Sequence, residues 1–119
     1  ATFMGADEEC TRACRVCAVG TVKDPPPRDE NEPENLAEAG DWMGVTHAVI
    51  TCVNRDELAD GGASHYRACL EAVHARRPDI GLEFLCSDLD GLRSICATLL
   101  WFSFPTTIGS AKVQLCSQE

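Results

Sequence analysis

Short apolar segments alternate with longer helical segments along most of this 119-residue chain. Residues 46–53 (THAVITCV) are β-branched or apolar almost throughout, which is typical of a strand buried on both faces. A helix is predicted at 63–77, a strand at 80–86 and a further helix from 92 to about 102. This alternating order predicts a parallel sheet with right-handed crossover connections.

The first third of the chain adds one more unit of the same kind. Residues 1–4 are predicted to form a strand, and a helix is predicted to begin near Pro33, because proline is well tolerated in a first turn. The apolar face of that helix, which we expect to pack inward, comprises Leu36, Ala39, Trp42 and Met43. The predicted fold class is therefore α/β, a partial TIM-like barrel of about three βα units with parallel strands. A short strand is possible at 111–115.

Charge and hydropathy exclude two classes of partner. The net charge is −9, whereas nucleic-acid binding requires clustered Lys and Arg. No apolar run approaches the ~18 residues of a membrane-spanning helix. We therefore expect neither nucleic acid nor a membrane as a partner.

The eight cysteines favour a reducing compartment over a disulfide scaffold. Four of them stand singly in apolar segments, as buried free cysteines do, namely Cys52, Cys69, Cys86 and Cys96. We expect those four to pack in the core. The histidines show no convincing ligand spacing with the cysteines, so no site role is expected for His47, His65 or His74.

Cys10, Cys14 and Cys17 form a CxxxCxxC motif in the loop after the first predicted strand. A structural zinc site usually takes four ligands, and a thioredoxin-like pair would leave Cys10 without a role. A cubane iron–sulfur cluster is normally held by four thiolates, so three leave one iron open to an outside ligand. Arg12 and Arg15 would offset the negative charge of such a cluster, or lie simply at the surface.

The surrounding residues resemble a known family. CxxxCxxC after a first parallel strand is the pattern of the radical SAM superfamily, and residues 10–19 (CTRACRVCAV) and 51–63 (TCVNRDELADGGA) resemble two motifs of lipoyl synthase. The chain departs from the family at Ala13, where glycine is usual, and at Val16, where an aromatic residue is usual. We expect residues 1–91 to be a partial radical SAM core and residues 92–119 to be a divergent helix and tail without family resemblance.

The resemblance implies a [4Fe-4S] cluster held by Cys10, Cys14 and Cys17, with S-adenosyl-L-methionine on the open iron. The resemblance implies insertion of sulfur at C6 and C8 of a protein-bound octanoyl chain, a reaction of lipoate biosynthesis. A second, auxiliary [4Fe-4S] cluster is expected for the family, but its ligands do not occur in this sequence.

The resemblance also suggests cofactor-binding residues outside the cysteine loop. Asn54, Arg55 and Asp56, in the loop after the second long strand, should lie near the methionyl part of the cofactor. Glu83 should approach its ribose. Alternatively, Asp56 and its acidic neighbours, such as Asp60, solvate the loop or cap the next helix.

Partners and compartment follow from the family alone. The expected partners are an octanoylated lipoyl-domain or H-type acceptor protein and an electron donor such as ferredoxin. The expected location is the mitochondrion, with the plastid and the bacterial cytoplasm as alternatives. We expect a truncated chain that is inactive on its own. The competing interpretations are a non-catalytic metal-binding or redox module and a vestigial fragment with no activity.

Overall fold

The computed structural model describes residues 1–6, 8–15, 17–86 and 112–115. The elements in chain order are β1 (Thr2–Gly5), β2 (Glu9–Cys10), β3 (Gly20–Thr21), α1 (Glu32–Trp42), β4 (His47–Cys52), α2 (Ala63–Arg76), β5 (Gly81–Cys86) and β6 (Lys112–Leu115). The predicted α/β class is confirmed, and closure into a barrel stays a prediction. The helix predicted at 92–102 lies outside the described residues. No helix in the described part of the chain is long and apolar enough to cross a membrane.

The main sheet has four strands in the order β1-β4-β5-β6, and every neighbouring pair is parallel. Thr2 of β1 is in register with Val49 of β4, which is in register with Glu83 of β5. The strand considered possible at 111–115 is β6. A separate parallel pair joins β2 to β3. Parallel pairing throughout is what the alternating sequence predicts.

One face of the main sheet carries the core. Ala48 and Ile50 of β4 are buried, as are Leu82 and Phe84 of β5, and they share this face because alternate residues of a strand point the same way. Both helices cover it with buried side chains, namely Leu36 and Ala37 of α1 and Tyr66, Leu70 and Val73 of α2. On the other face of β4, Val49 and Thr51 are half-buried. The sequence predicted burial on both faces, and the described residues show full burial on one.

Helix α1 begins as predicted but packs on a different face. Pro33 lies in its first turn, yet Trp42 is 88% exposed and Met43 is 52% exposed. The prediction that Trp42 packs inward is wrong. Gly40 is buried, and Trp42 lies about 200° further round the helix at 100° per residue, so it points away from α2. Ala37 and Gly40 are both buried on the face that packs towards α2.

Helix α2 follows its prediction closely. Tyr66, Cys69, Leu70 and Val73 all face inward, including the cysteine expected in the core. Gly62 immediately precedes the helix with a φ of 90°, a left-handed conformation that suits glycine. The chain therefore turns sharply from the β4 loop into α2.

Candidate metal centre

Ala6 follows β1, and both its N–H and its carbonyl oxygen are hydrogen-bonded to side chains. Ala6 has a φ of 66°, and its N–H donates to Glu32 Oε1 at 3.1 Å and Oε2 at 3.0 Å. Its carbonyl oxygen accepts a hydrogen bond from Arg55 Nη1 at 3.4 Å. A left-handed conformation in a residue other than glycine persists where its surroundings enforce it. The direction in which the chain enters the cysteine loop is therefore fixed.

The β2–β3 pair closes the cysteine loop. Glu9 stands opposite Gly20, and Cys10 stands opposite Thr21. The N–H of Val22 adds a 3.0 Å hydrogen bond to the Cys10 carbonyl oxygen. All three cysteines of the motif thus lie on one closed segment of chain.

The three cysteines differ in their environment. Cys10 is 7% exposed, Cys14 is half-buried and Cys17 is exposed. The Sγ of Cys10 accepts hydrogen bonds from the N–H of Asn54 at 3.3 Å and from the N–H of Arg12 at 3.5 Å. The thiolate is the form of cysteine that binds metal. Cys10 therefore presents a buried sulfur that two backbone N–H groups contact, one from the cysteine loop and one from the β4 loop.

The loop after β4 lies directly against the cysteine loop. The N–H of Thr11 donates to the Asn54 carbonyl oxygen at 3.0 Å. The Asp56 carboxylate accepts from Arg12 Nε at 2.8 Å and Arg12 Nη2 at 2.7 Å, and from the Thr11 hydroxyl at 2.8 Å. Of the three β4-loop residues assigned to the cofactor by resemblance, Asn54 and Asp56 therefore contact the cysteine loop.

The third, Arg55, lies inside the protein. Its side chain is 2% exposed, and its Nη2 donates to the Pro26 carbonyl oxygen at 2.8 Å. The Nε donates to Glu57, and Nη1 donates to Ala6 as described above. These bonds join the β4 loop to a run of three prolines at residues 25–27 and to the exit from β1. A direct cofactor contact for Arg55 stays a prediction.

The side chain of Asn54 carries a buried polar atom without a partner. Its Oδ1 has no hydrogen-bond donor within the described part of the chain. Leaving a buried acceptor unpaired costs about 1–3 kcal/mol. The backbone N–H of the same residue contacts Cys10 Sγ, and a ligand with an N–H or O–H group would satisfy the side-chain oxygen.

Glu83 stands apart from this group. It lies in the middle of β5, in register with Val49, and its Oε2 is 3.5 Å from His47 Nε2. Val49 precedes Asn54 by five residues, which is about 16 Å along an extended strand. Glu83 is on the sheet face that the helices leave uncovered. Its contact with a ribose stays a prediction.

A second group of ligand-type side chains was missed by the sequence prediction. The ligand atoms of Glu32, His65 and Cys69 lie within 4.8 Å of one another, and His65 Nε2 is hydrogen-bonded to Glu32 Oε2. The i,i+4 spacing of His65 and Cys69 was a signal that both share a helix face. Nothing in the sequence links them to the distant Glu32.

The group of Glu32, His65 and Cys69 has a structural role, since its hydrogen bonds connect separate elements of the fold. Burial, and after it the negative charge of Glu32, raise the pKa of the Cys69 thiol to about 12, so the thiol keeps its proton. Both Glu32 oxygens accept the N–H of Ala6, and one also contacts His65. The group therefore joins α1, α2 and the exit from β1.

The fold and the cysteine loop together define the class: an α/β protein with three cysteines in a loop at the carboxyl end of a parallel sheet. Loops at that end carry the chemistry in such folds. Three cysteines are the donors expected for soft metal ions and for iron–sulfur clusters. The two backbone N–H groups on Cys10 Sγ and the orphaned Asn54 oxygen fit a charged group bound there.

Comparison with known proteins identifies the relatives. No protein-family model matches the chain. It is 52% identical over 88 residues to lipoyl synthase of Chlorobium phaeobacteroides, a match that covers 74% of this chain and 31% of that protein. It is 47% identical over 91 residues to the chloroplastic lipoyl synthase of Arabidopsis thaliana, covering 76% and 23% respectively. The mitochondrial lipoyl synthase of Branchiostoma floridae is 43% identical over 99 residues, covering 83% and 26%.

These matches support the resemblance seen in the sequence. Over about three quarters of its length, the chain is similar to part of several curated proteins named lipoyl synthase. It spans between about a quarter and a third of the length of these curated relatives.

Proposed function

We propose that this chain is the cluster-binding part of a lipoyl synthase-type radical SAM sulfurtransferase. The reaction is the insertion of sulfur at C6 and C8 of an octanoyl chain carried by an acceptor protein. The observation that carries the proposal is the contact between the CxxxCxxC loop and the β4 loop, in a chain similar to lipoyl synthases over about three quarters of its length.

Cys10, Cys14 and Cys17 are the proposed ligands of a [4Fe-4S] cluster, and S-adenosyl-L-methionine is the proposed co-substrate. When bound, these groups supply the radical chemistry that removes hydrogen from an unactivated carbon chain. The protein's own contribution is to hold the ligands in place and to stabilise their charge. The N–H groups of Arg12 and Asn54 do so at Cys10 Sγ.

Asn54 is the proposed direct contact for the co-substrate. Its backbone N–H contacts Cys10 Sγ. Its side-chain oxygen is buried without a donor in the described structure, and an ammonium group would supply one. Arg55 belongs to the same region through its hydrogen bonds to Ala6 and Pro26. Glu83 is proposed for the ribose, because it is half-buried on the sheet face that α1 and α2, the helices of the described residues, do not cover.

The proposed partners are an octanoylated lipoyl-domain or H-type protein and a ferredoxin-like electron donor. The proposed location is the mitochondrion, where the Branchiostoma relative is named, although the Arabidopsis relative is named chloroplastic. Because the chain spans at most about a third of these relatives, we propose that these 119 residues do not complete the reaction alone.

Anaerobic reconstitution with iron and sulfide tests the proposal. We expect about four irons per chain, as for a cubane cluster, and a visible spectrum that changes when S-adenosyl-L-methionine is added. Cys10→Ser and Cys17→Ser should abolish uptake, whereas Cys52→Ser, outside the motif, should not. One tightly bound zinc per chain would instead indicate a metal-binding module, and no bound metal would indicate a vestigial site. Conversion of octanoyl protein by this chain alone would contradict the proposed incompleteness.

A further inference from the structure

We propose that Asp56 is a positioning residue that holds the cysteine loop against the carboxyl end of β4 through Thr11 and Arg12. We call these three residues the loop clamp. The consequence for the cluster rests on the proposed function. The existence of the clamp does not depend on the proposed function, because its contacts are present in the protein before anything binds.

The geometry of the clamp occupies both carboxylate oxygens of Asp56. Oδ1 accepts from Arg12 Nη2 at 2.7 Å, and Oδ2 accepts from Arg12 Nε at 2.8 Å. The Thr11 hydroxyl lies 2.8 Å from Oδ2, and the N–H of Asp56 donates to the Thr11 oxygen at 3.2 Å. A two-pronged pair between arginine and a carboxylate is stronger and more directional than a single contact.

The clamp acts on the residues that separate the first two cysteines. Thr11 and Arg12 follow Cys10 directly, and Cys10 itself is bound by the N–H of Asn54, two residues before Asp56. The β4 loop therefore contacts three consecutive residues of the motif. Contacts in this arrangement fix the direction in which the chain runs from Cys10 towards Cys14.

The site is shielded enough for the pair to matter. The side chains of Arg12 and Asp56 are 19% and 34% exposed, whereas ion pairs that contribute little are usually fully solvated. The resemblance assigns Asp56 to the cofactor. Because both of its oxygens are directed at the cysteine loop, its effect on a bound group is exerted through the loop.

The first test uses the metal-free chain. In Asp56→Asn, alkylation of the buried Cys10 should be about tenfold faster, a factor equivalent to about 1.4 kcal/mol of lost coupling. Arg12→Gln should also accelerate alkylation, but less, because the Thr11 hydroxyl keeps its hydrogen bond to Asp56. The double variant should be no faster than Asp56→Asn alone, because both substitutions act on the Arg12–Asp56 contact. Glu71→Gln is the matched control, since it removes one side of the Arg67–Glu71 ion pair on α2. Circular dichroism should show each variant folded.

The second test uses the reconstituted chain. Asp56→Asn should lose iron to a chelator about tenfold faster than the parent chain, because the same contact with the cysteine loop is lost. Its affinity for S-adenosyl-L-methionine should be unchanged while the cluster remains. Wild-type Cys10 alkylation rates in both single variants would overturn the clamp, as would strictly additive effects in the double variant. A weaker S-adenosyl-L-methionine affinity with unchanged iron loss would restore the cofactor role. Failure of the parent chain to take up a cluster would contradict the proposed function, whereas the alkylation rates alone decide the clamp.

Discussion

Tyr66 donates its hydroxyl hydrogen to the carbonyl oxygen of Val53 at 2.8 Å, and both groups are buried. Val53 is the first residue after β4 and leads into the loop that contacts Cys10, while Tyr66 belongs to α2. The same ring lies 5.5 Å from that of Phe84 in β5, measured between ring centroids. One side chain thus links the helix, the sheet and the start of the β4 loop.

Tyr66→Phe tests the value of that hydrogen bond. The ring remains, but the Val53 carbonyl loses its buried donor, so we expect a loss of about 1–3 kcal/mol in the free energy of unfolding. Urea unfolding of the parent chain and the variant measures it. An unchanged midpoint would show that water or another donor replaces the hydroxyl.

Gly62 and Gly40 provide a matched pair of alanine substitutions. A Cβ on Gly62 would lie 3.0 Å from the Tyr66 ring at a φ of 90°, whereas one on Gly40 meets nothing within 4 Å. We expect Gly62→Ala to destabilise by about 1–3 kcal/mol, from strain and crowding. Gly40→Ala should stabilise by about 0.5–1 kcal/mol, because alanine favours a helix interior. Thermal unfolding compares the two, and equal shifts of the same sign would contradict the geometry.

Asp60 should make stability depend on pH. Burial raises its pKa, but hydrogen bonds from Ser64 and from the N–H of Gly62 outweigh that effect, and the net pKa is below the usual value. A carboxylate with a lowered pKa in the folded state stabilises the fold above its unfolded pKa of about 3.9 and loses that effect as the pH falls. Asp60→Asn should therefore be less stable at pH 7 by up to about 1 kcal/mol.

The difference between the parent chain and Asp60→Asn should narrow as the pH falls below about 4, as the folded-state carboxylate takes up its proton. Urea midpoints at several pH values measure it. A difference that stays constant down to acidic pH would mean that the hydrogen-bond geometry, and not the charge, is what Asp60 contributes.

Thiol reactivity should separate the cysteines sharply. Cys17 is exposed, whereas Cys69 is completely buried and its pKa is raised to about 12. The thiolate is the reactive form, so at pH 8 we expect rapid alkylation of Cys17 and alkylation of Cys69 only after unfolding. Mass spectrometry of timed samples measures both rates in one chain. Early modification of Cys69 in the folded protein would show that α2 opens locally.

The sequence predicted the elements with strong periodicity and missed those without it. Strand β4 and helix α2 begin and end within one residue of their predicted limits. Strands β2 and β3 have two residues each, too few for any pattern to show. Trp42 was placed inward because apolar spacing marks a possible face without showing which face the neighbouring helix covers.

Some features of the candidate site could likewise be predicted from the sequence, and others could not. The spacing of Cys10, Cys14 and Cys17 was visible because the three residues are close in the sequence. The buried state of Arg55 was hidden, since a charged residue in a polar loop ordinarily lies at the surface, and its partner carbonyls at Ala6 and Pro26 come from distant segments. Contacts between residues so far apart in the sequence form only when the chain folds, so no local pattern predicts them.

The pairing of β2 with β3 has a thermodynamic consequence. Closing a chain segment into a loop costs conformational entropy. Because β2 and β3 already pair Cys10 with Thr21, this cost is met when the chain folds and not when a group binds. A group that bridges the three thiols loses less free energy to ordering the chain, which is the advantage of preorganisation. Affinity and folding are therefore linked: a bound group raises the melting temperature, and any condition that separates β2 from β3 releases the group.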